Sequence, residues 1–175
     1  HVHPFASVKR EARPREIGEV LAMDVETKGL LAELSNIHSR TKAAVEKLGD
    51  DGVNWQPPAP GTNPASVIVS HMCGSEAAWV GEYVGGVPAH RDRTSEFQSP
   101  QKTVKGLTAV VDRAQASSQT AISKHTSASL NRTAVTGRPE FKGTLRDCVL
   151  HALTHESEHV GHLELTLQLW QARGK

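Results

Sequence analysis

Thr144-Leu145-Arg146-Asp147-Cys148-Val149-Leu150-His151-Ala152-Leu153-Thr154-His155-Glu156-Ser157-Glu158-His159-Val160-Gly161-His162-Leu163 reads as one long amphipathic helix with imidazole at the centre of its inner face. Leu145, Cys148, Ala152, His155, His159, His162, Thr166 and Leu169 follow one another at steps of three and four residues. That is the spacing of a helix seam packed against other helices. Buried imidazoles cost free energy unless each finds a partner. Two histidines at i and i+4 stand one turn apart on one face, where both can point at one metal ion. Thr144 with Asp147 three residues on is a capping-box start, and the helix is expected to run to about Trp170.

Working back from this helix, the rest of the chain supplies its packing partners. The pattern is helical from about Arg15 to Leu48, with Ile17, Leu21, Leu31, Leu34, His38, Val45 and Leu48 as its stripe. Gly29 is a place for that helix to begin or bend, and Gly49-Asp50-Asp51-Gly52 ends it. A proline-rich connection follows from Val53 to Gly61. Asn63-Pro64 reads as an N-cap followed by a first-turn proline, and the second helix is expected to reach Tyr83 or Val84. A polar loop spans Val87 to Pro100, long enough to cover something. Ser99-Pro100 repeats the cap-and-proline start for a third helix over about Gln101 to Ser127, with no chemical residue of its own. His125 near its end suits the helix dipole as a cation. Ser129 to Gly143 is a second connection, in part extended. Four amphipathic helices predict an all-α four-helix bundle over residues 15–175, preceded by a flexible arm, 1–14. His1 and His3 in that arm are read as solvated.

The chain of 175 residues holds one domain with a real core. A net charge of +1 argues against nucleic acid or an anionic membrane as partner. No apolar run spans a bilayer and no signal-peptide pattern is visible, so a cytoplasmic protein is the expectation. Two cysteines without CxxC spacing build neither a disulfide scaffold nor a zinc ribbon. Ten histidines make metal binding the natural reading.

His71 lies mid-way along the second helix, on its inner face, among small residues that leave room for a cavity. Cys73 is about 200° round that helix and points elsewhere. His71, His155 and His159 therefore form the expected metal site, with ligands from facing helices. Three neutral imidazoles suit a divalent ion such as zinc, nickel, copper or iron, and leave a position open for water or substrate. His162 is a candidate contact to substrate or to a ligand. His151 lies off the seam, and His38, alone on its helix, is read as structural. Glu76, Glu156 and Glu158 are candidate bases. His155-Glu156-Ser157-Glu158-His159 also matches the zinc-peptidase H-E-x-x-H pattern, with Glu156 as base. The flanking residues do not continue as a peptidase would, since position 165 is Leu and the chain ends soon after Trp170.

Several stretches, in order, resemble the DinB-like (DinB/YfiT-like) metalloenzyme family. They are the Trp55 to Pro64 run, Ser70-His71-Met72-Cys73-Gly74-Ser75-Glu76 with Trp79, Arg91 to Phe97, and His155 to Leu165. Together they cover about Leu30 to Trp170. The resemblance implies a four-helix bundle, often a homodimer, whose divalent ion, zinc or nickel, is held at His71, His155 and His159. Many members carry Gln where this chain has His162. The resemblance also implies transfer of a low-molecular-weight thiol (mycothiol, bacillithiol or glutathione) to a small electrophile. The alternatives are a non-catalytic, stress-related metal-binding protein, or a metal-dependent hydrolase.

Overall fold

The computed structural model describes residues 23–99 and 101–173; the expected arm lies outside them. Six helices follow in order: α1 (Val25–Gly52), α2 (Ala65–Glu76), α3 (Arg93–Gln98), α4 (Val104–Ile122), α5 (Ser127–Leu130) and α6 (Leu145–Ala172). α2 continues without a break into a π-helical segment, Ala77–Glu82. There Tyr83 N–H donates to the Ala78 carbonyl and Gly85 N–H to that of Val80, each five residues back. No strand occurs among the described residues, and the long connection before α6 is closed by a single bridge, Thr133 with Thr144.

The bundle consists of α1, α2 with its π segment, α4 and α6. α1 and α2 lie diagonally opposite, and each packs on both α4 and α6. The α6 capping box forms as the sequence predicts: Thr144 N–H donates to the Asp147 carboxylate at 2.7 Å, and Asp147 N–H to Thr144 Oγ1 at 3.2 Å. α1 starts on the Asp24 cap and passes straight through exposed Gly29. Its regular run stops at Gly49, whose φ of 68° and ψ of 174° lie outside the helical region and outside what most side chains tolerate.

Three expected boundaries move. Pro64 occupies the cap position of α2, so Asn63 caps nothing. Ser99 closes α3 and does not start the third bundle helix; that helix, α4, is capped by Thr103, whose Oγ1 accepts from Gly106 N–H. The expected loop over Val87 to Pro100 contains α3, capped by Asp92. α4 also ends at Ile122, short of the expected Ser127, which instead opens α5. His125 lies between α4 and α5, buried, within 3.1 Å of the Val84 carbonyl and 3.2 Å of Ser129 Oγ. These contacts, not the helix dipole, hold it.

The core has two apolar clusters. One gathers Ile37, Val45, Leu48, Val69, Met72, Leu107, Val111, Val160 and Leu163. The other gathers Leu34, Trp79, Val80, Ile122, Leu130, Cys148 and Val149. Between them each bundle helix contributes one buried polar residue: His38, Glu76, Ser118 and Glu156. His38 Nε2 lies 2.8 Å from Glu76 Oε2, and Ser118 Oγ donates to Glu76 Oε1 at 2.5 Å.

Candidate metal centre

α6 turns a different face to the core than its apolar pattern suggests. The buried positions are Leu145, Cys148, Val149, Ala152, Glu156, Val160, Leu163, Thr166 and Leu167, so Leu145, Cys148, Ala152 and Thr166 of the expected seam are kept. Between Ala152 and Thr166 the seam is rotated by one residue, so Glu156, 1% exposed, occupies its centre. His155 and His159 are half-buried on the flank of that face, while His162 and Leu169 are exposed. This rotation is what makes a site. Imidazoles on the central line would be sealed in the core; on the flank they stay within reach of small molecules.

His71, at 9% exposure, faces this flank from α2. The ring centroids of His71 lie 5.0 Å from His155 and 5.1 Å from His159, and those of His155 and His159 lie 4.5 Å apart. One nitrogen from each ring falls within 4.8 Å of the others, and the Nε2 atoms of His71 and His155 are 3.1 Å apart. The three histidines singled out in the sequence thus come together.

Burial pushes all three imidazoles toward the neutral form. For His159 the pKa falls from 6.5 to about 4, with His155, His71 and His162 adding repulsion to the loss of hydration. Burial likewise lowers His71, partly opposed by Glu96, and lowers His155, with Arg91 adding to the effect. Neutral imidazoles are what a divalent ion requires.

α3 supplies what the sequence reading did not assign. Glu96, 6% exposed, lies with Oε2 2.9 Å from His71 Nδ1. Arg91 holds the same carboxylate with both ends of its fork, Nε donating to Oε1 at 2.6 Å and Nη2 to Oε2 at 2.9 Å. A carboxylate so held accepts from His71 Nδ1–H and leaves the Nε2 lone pair for a metal. Gly74 makes this approach feasible, since a Cβ there would collide with the Glu96 carboxylate. Phe97 packs its ring 5.1 Å from that of His71. The signals in the sequence were the length of the loop and the resemblance of Arg91 to Phe97 to the DinB-like family, neither of which gave Glu96 a role.

The remaining candidates separate by position. Glu76 is locked in the polar layer by His38 and Ser118. Glu156 joins the same layer; burial, reinforced by Glu76, pushes its carboxyl well above the ordinary value. It touches the histidines only through His155 Nδ1, at 3.4 Å, and its interior position removes it from the water that a peptidase base activates. Glu158 is exposed. His162 lines a cavity of about 490 Å³ beside His71 and His159, its ring 5.5 Å from that of His159. His151 packs against Trp79, ring centroids 3.9 Å apart and planes tilted by 38°, and is not part of the cluster. Cys73 and Cys148 are both buried, and burial raises their thiols, that of Cys148 to about 11.

The model of the mycothiol-S-transferase family matches residues 29–169. The chain belongs to that DinB-like family. A solved structure of a conserved protein from Enterococcus faecalis shares its fold, with a TM-score of 0.64 at 16% identity, over 88% of this chain and 100% of that one. Comparison with curated proteins returned no match. The three-histidine cluster of this family member has the donor set to hold a metal ion. No helix among the described residues is long and apolar enough to cross a membrane.

Proposed function

We propose that this chain is a divalent-metal-dependent S-transferase joining a low-molecular-weight thiol to a small electrophile. The observation that carries the reading is the cluster of three imidazoles, neutral by burial, in a chain of the mycothiol-S-transferase family. His71, His155 and His159 are the proposed ligands, for zinc or nickel. Bound there, the ion would lower a thiol's pKa and hold it as thiolate near neutral pH.

The residues around the cluster have separate tasks. Glu96, braced by Arg91, fixes the tautomer and the angle of His71. The cavity walls bring the second substrate beside the His71–His159 edge. Of the four catalytic candidates, Glu76, Glu156, Glu158 and His162, only His162 lines that cavity. It is placed to take the thiol proton as the S–H bond breaks. The sulfur lone pair then forms the new S–C bond, and the displaced group leaves with the electron pair of the bond it loses.

The test has two stages. Calorimetric titration with zinc or nickel is expected to give one ion per chain, and His71→Ala to abolish tight binding. Unchanged stoichiometry and affinity in His71→Ala would refute the site. Turnover is then assayed with mycothiol, bacillithiol and glutathione against monochlorobimane. A metal-loaded protein inactive with all three thiols would leave the non-catalytic metal-binding reading in its place.

A further inference from the structure

Seven large hydrophobic residues are exposed among the described residues, and three of them wall one cavity: Phe97 at 41%, Leu165 at 53% and Leu169 at 43%. Scattered exposed leucines need no explanation. Three that converge with Val67 and Ile68 on about 490 Å³ next to His71 and His159 form an apolar chamber of the size small-molecule sites have.

Its ionisable equipment is all basic: His71, His159, His162 and Arg93, with Thr62, Asn63 and Thr166 as the neutral polar residues. No Asp or Glu lines it. The Thr166 hydroxyl is spent on the His162 carbonyl at 2.9 Å, and that of Thr62 on the Pro57 and Ala59 carbonyls at 2.9 and 2.8 Å. Arg93 is different. It opens α3 at the cavity wall, exposed, with its guanidinium 4.9 Å from the Phe97 ring centroid. Among the described residues no carboxylate lies within ion-pair range of it, whereas Arg91, two residues earlier, is committed to Glu96. A guanidinium kept free over an aromatic ring at the edge of an apolar chamber is a partner for an anion.

We infer that this cavity binds the electrophilic substrate, and that this substrate is an apolar molecule carrying a carboxylate, sulfonate or similar anionic group paired with Arg93. The inference rests on the transferase reading for the word substrate, but the binding itself does not. A sugar-bearing thiol would set many of its hydroxyls against leucine, isoleucine and phenylalanine, with Asn63 and His162 as the polar exceptions.

Fluorescence titration with two probes sharing one aromatic skeleton tests it: 8-anilinonaphthalene-1-sulfonate and neutral N-phenyl-1-naphthylamine. The sulfonate is expected to bind about tenfold more tightly, the effect of one charge-assisted hydrogen bond. Arg93→Met should remove that preference, lowering the sulfonate's affinity to that of the neutral probe. Leu165→Gln with Leu169→Gln should weaken both probes. Equal affinity for the two probes, a preference that survives Arg93→Met, or binding indifferent to the leucine changes would each overturn the assignment. So would a dimer, by light scattering, that the leucine changes split into monomers, since a second copy would then cover this face. Both probes are titrated on metal-free and zinc-loaded protein. Loss of zinc binding or turnover without loss of probe binding counts against the transferase reading alone; the converse counts against the cavity assignment alone.

Discussion

His159 shows what a half-buried position does to an imidazole. Its folded pKa of about 4 lies below the ordinary 6.5, so between those values the unfolded chain binds more protons than the folded one. Stability from this group is therefore present above about pH 6.5 and is lost as pH falls toward about 4. His71 and His155 act in the same direction. Metal-free protein should melt at progressively lower temperature as pH drops through this window, with a shallower slope in His159→Gln. Melting temperatures that do not change with pH there would contradict the burial argument. At the same scale, Glu96→Gln should weaken zinc binding by about ten- to a hundredfold, the usual cost of losing a carboxylate behind a histidine ligand. Glu96→Asp should recover part of it. Competition with a chromophoric chelator measures both. The three histidines were legible in the sequence because i, i+4 spacing sets His155 and His159 one turn apart on one side of α6 and His71 lies mid-way along another helix. That the pair sits on the flank of the buried face was not legible. Glu96 was not, because it reaches His71 across a turn of chain whose path no periodicity encodes.

α3 is the smallest of the elements around the site and the one that completes it. Six residues long, it cannot be stable alone. It is held by the Asp92 cap, by the Arg91–Glu96 pair and by packing on α2. Gly74→Ala should break that docking without touching a ligand, because the new methyl group would displace the Glu96 carboxylate from a position fixed by Arg91 and His71. The expected result is weaker zinc affinity and faster amide hydrogen exchange across Arg93–Gln98, with the bundle helices little changed. Retained affinity would mean that Glu96 finds the site by another route. α6 teaches a related lesson. Its apolar pattern admits two neighbouring seams, one through the histidines and one through Glu156 and Val160. Hydrophobicity favours neither near Glu156, so the packing of the other three helices decides. The boundaries of α4 moved for a similar reason. Ser-Pro is a good helix start in isolation, but Ser99 is buried against Ser70 and ends α3.

Across the whole molecule, the polar layer between the two apolar clusters was invisible in the sequence, because each of its members sits alone in its own helix. Only the fold brings His38, Glu76, Ser118 and Glu156 together. Glu76→Leu would strand His38 Nε2 and the Ser118 hydroxyl in the core, an expected loss of about 3 kcal/mol. Relief of the repulsion on Glu156 offsets part of that loss. Removing both partners, as in His38→Leu with Glu76→Leu, leaves fewer polar atoms unpaired. The double variant should therefore lose less than the sum of the single losses, by about 1 kcal/mol or more in urea denaturation. Strict additivity would show that the pair is energetically idle. The bundle architecture was readable from four amphipathic segments; the diagonal placement of α1 and α2 was not, since either neighbour order satisfies the same stripes.

Under the proposed transferase function, the burial of both cysteines has a consequence. An enzyme that gathers electrophiles beside its own sulfur atoms risks alkylating itself. Here Cys73 points away from the histidine cluster, Cys148 lies fully inside the second apolar cluster, and both thiols are held in the unreactive protonated form. The native chain should resist iodoacetamide at concentrations that label both cysteines after denaturation, so that its lifetime in contact with such reagents is set by the rate at which the bundle opens.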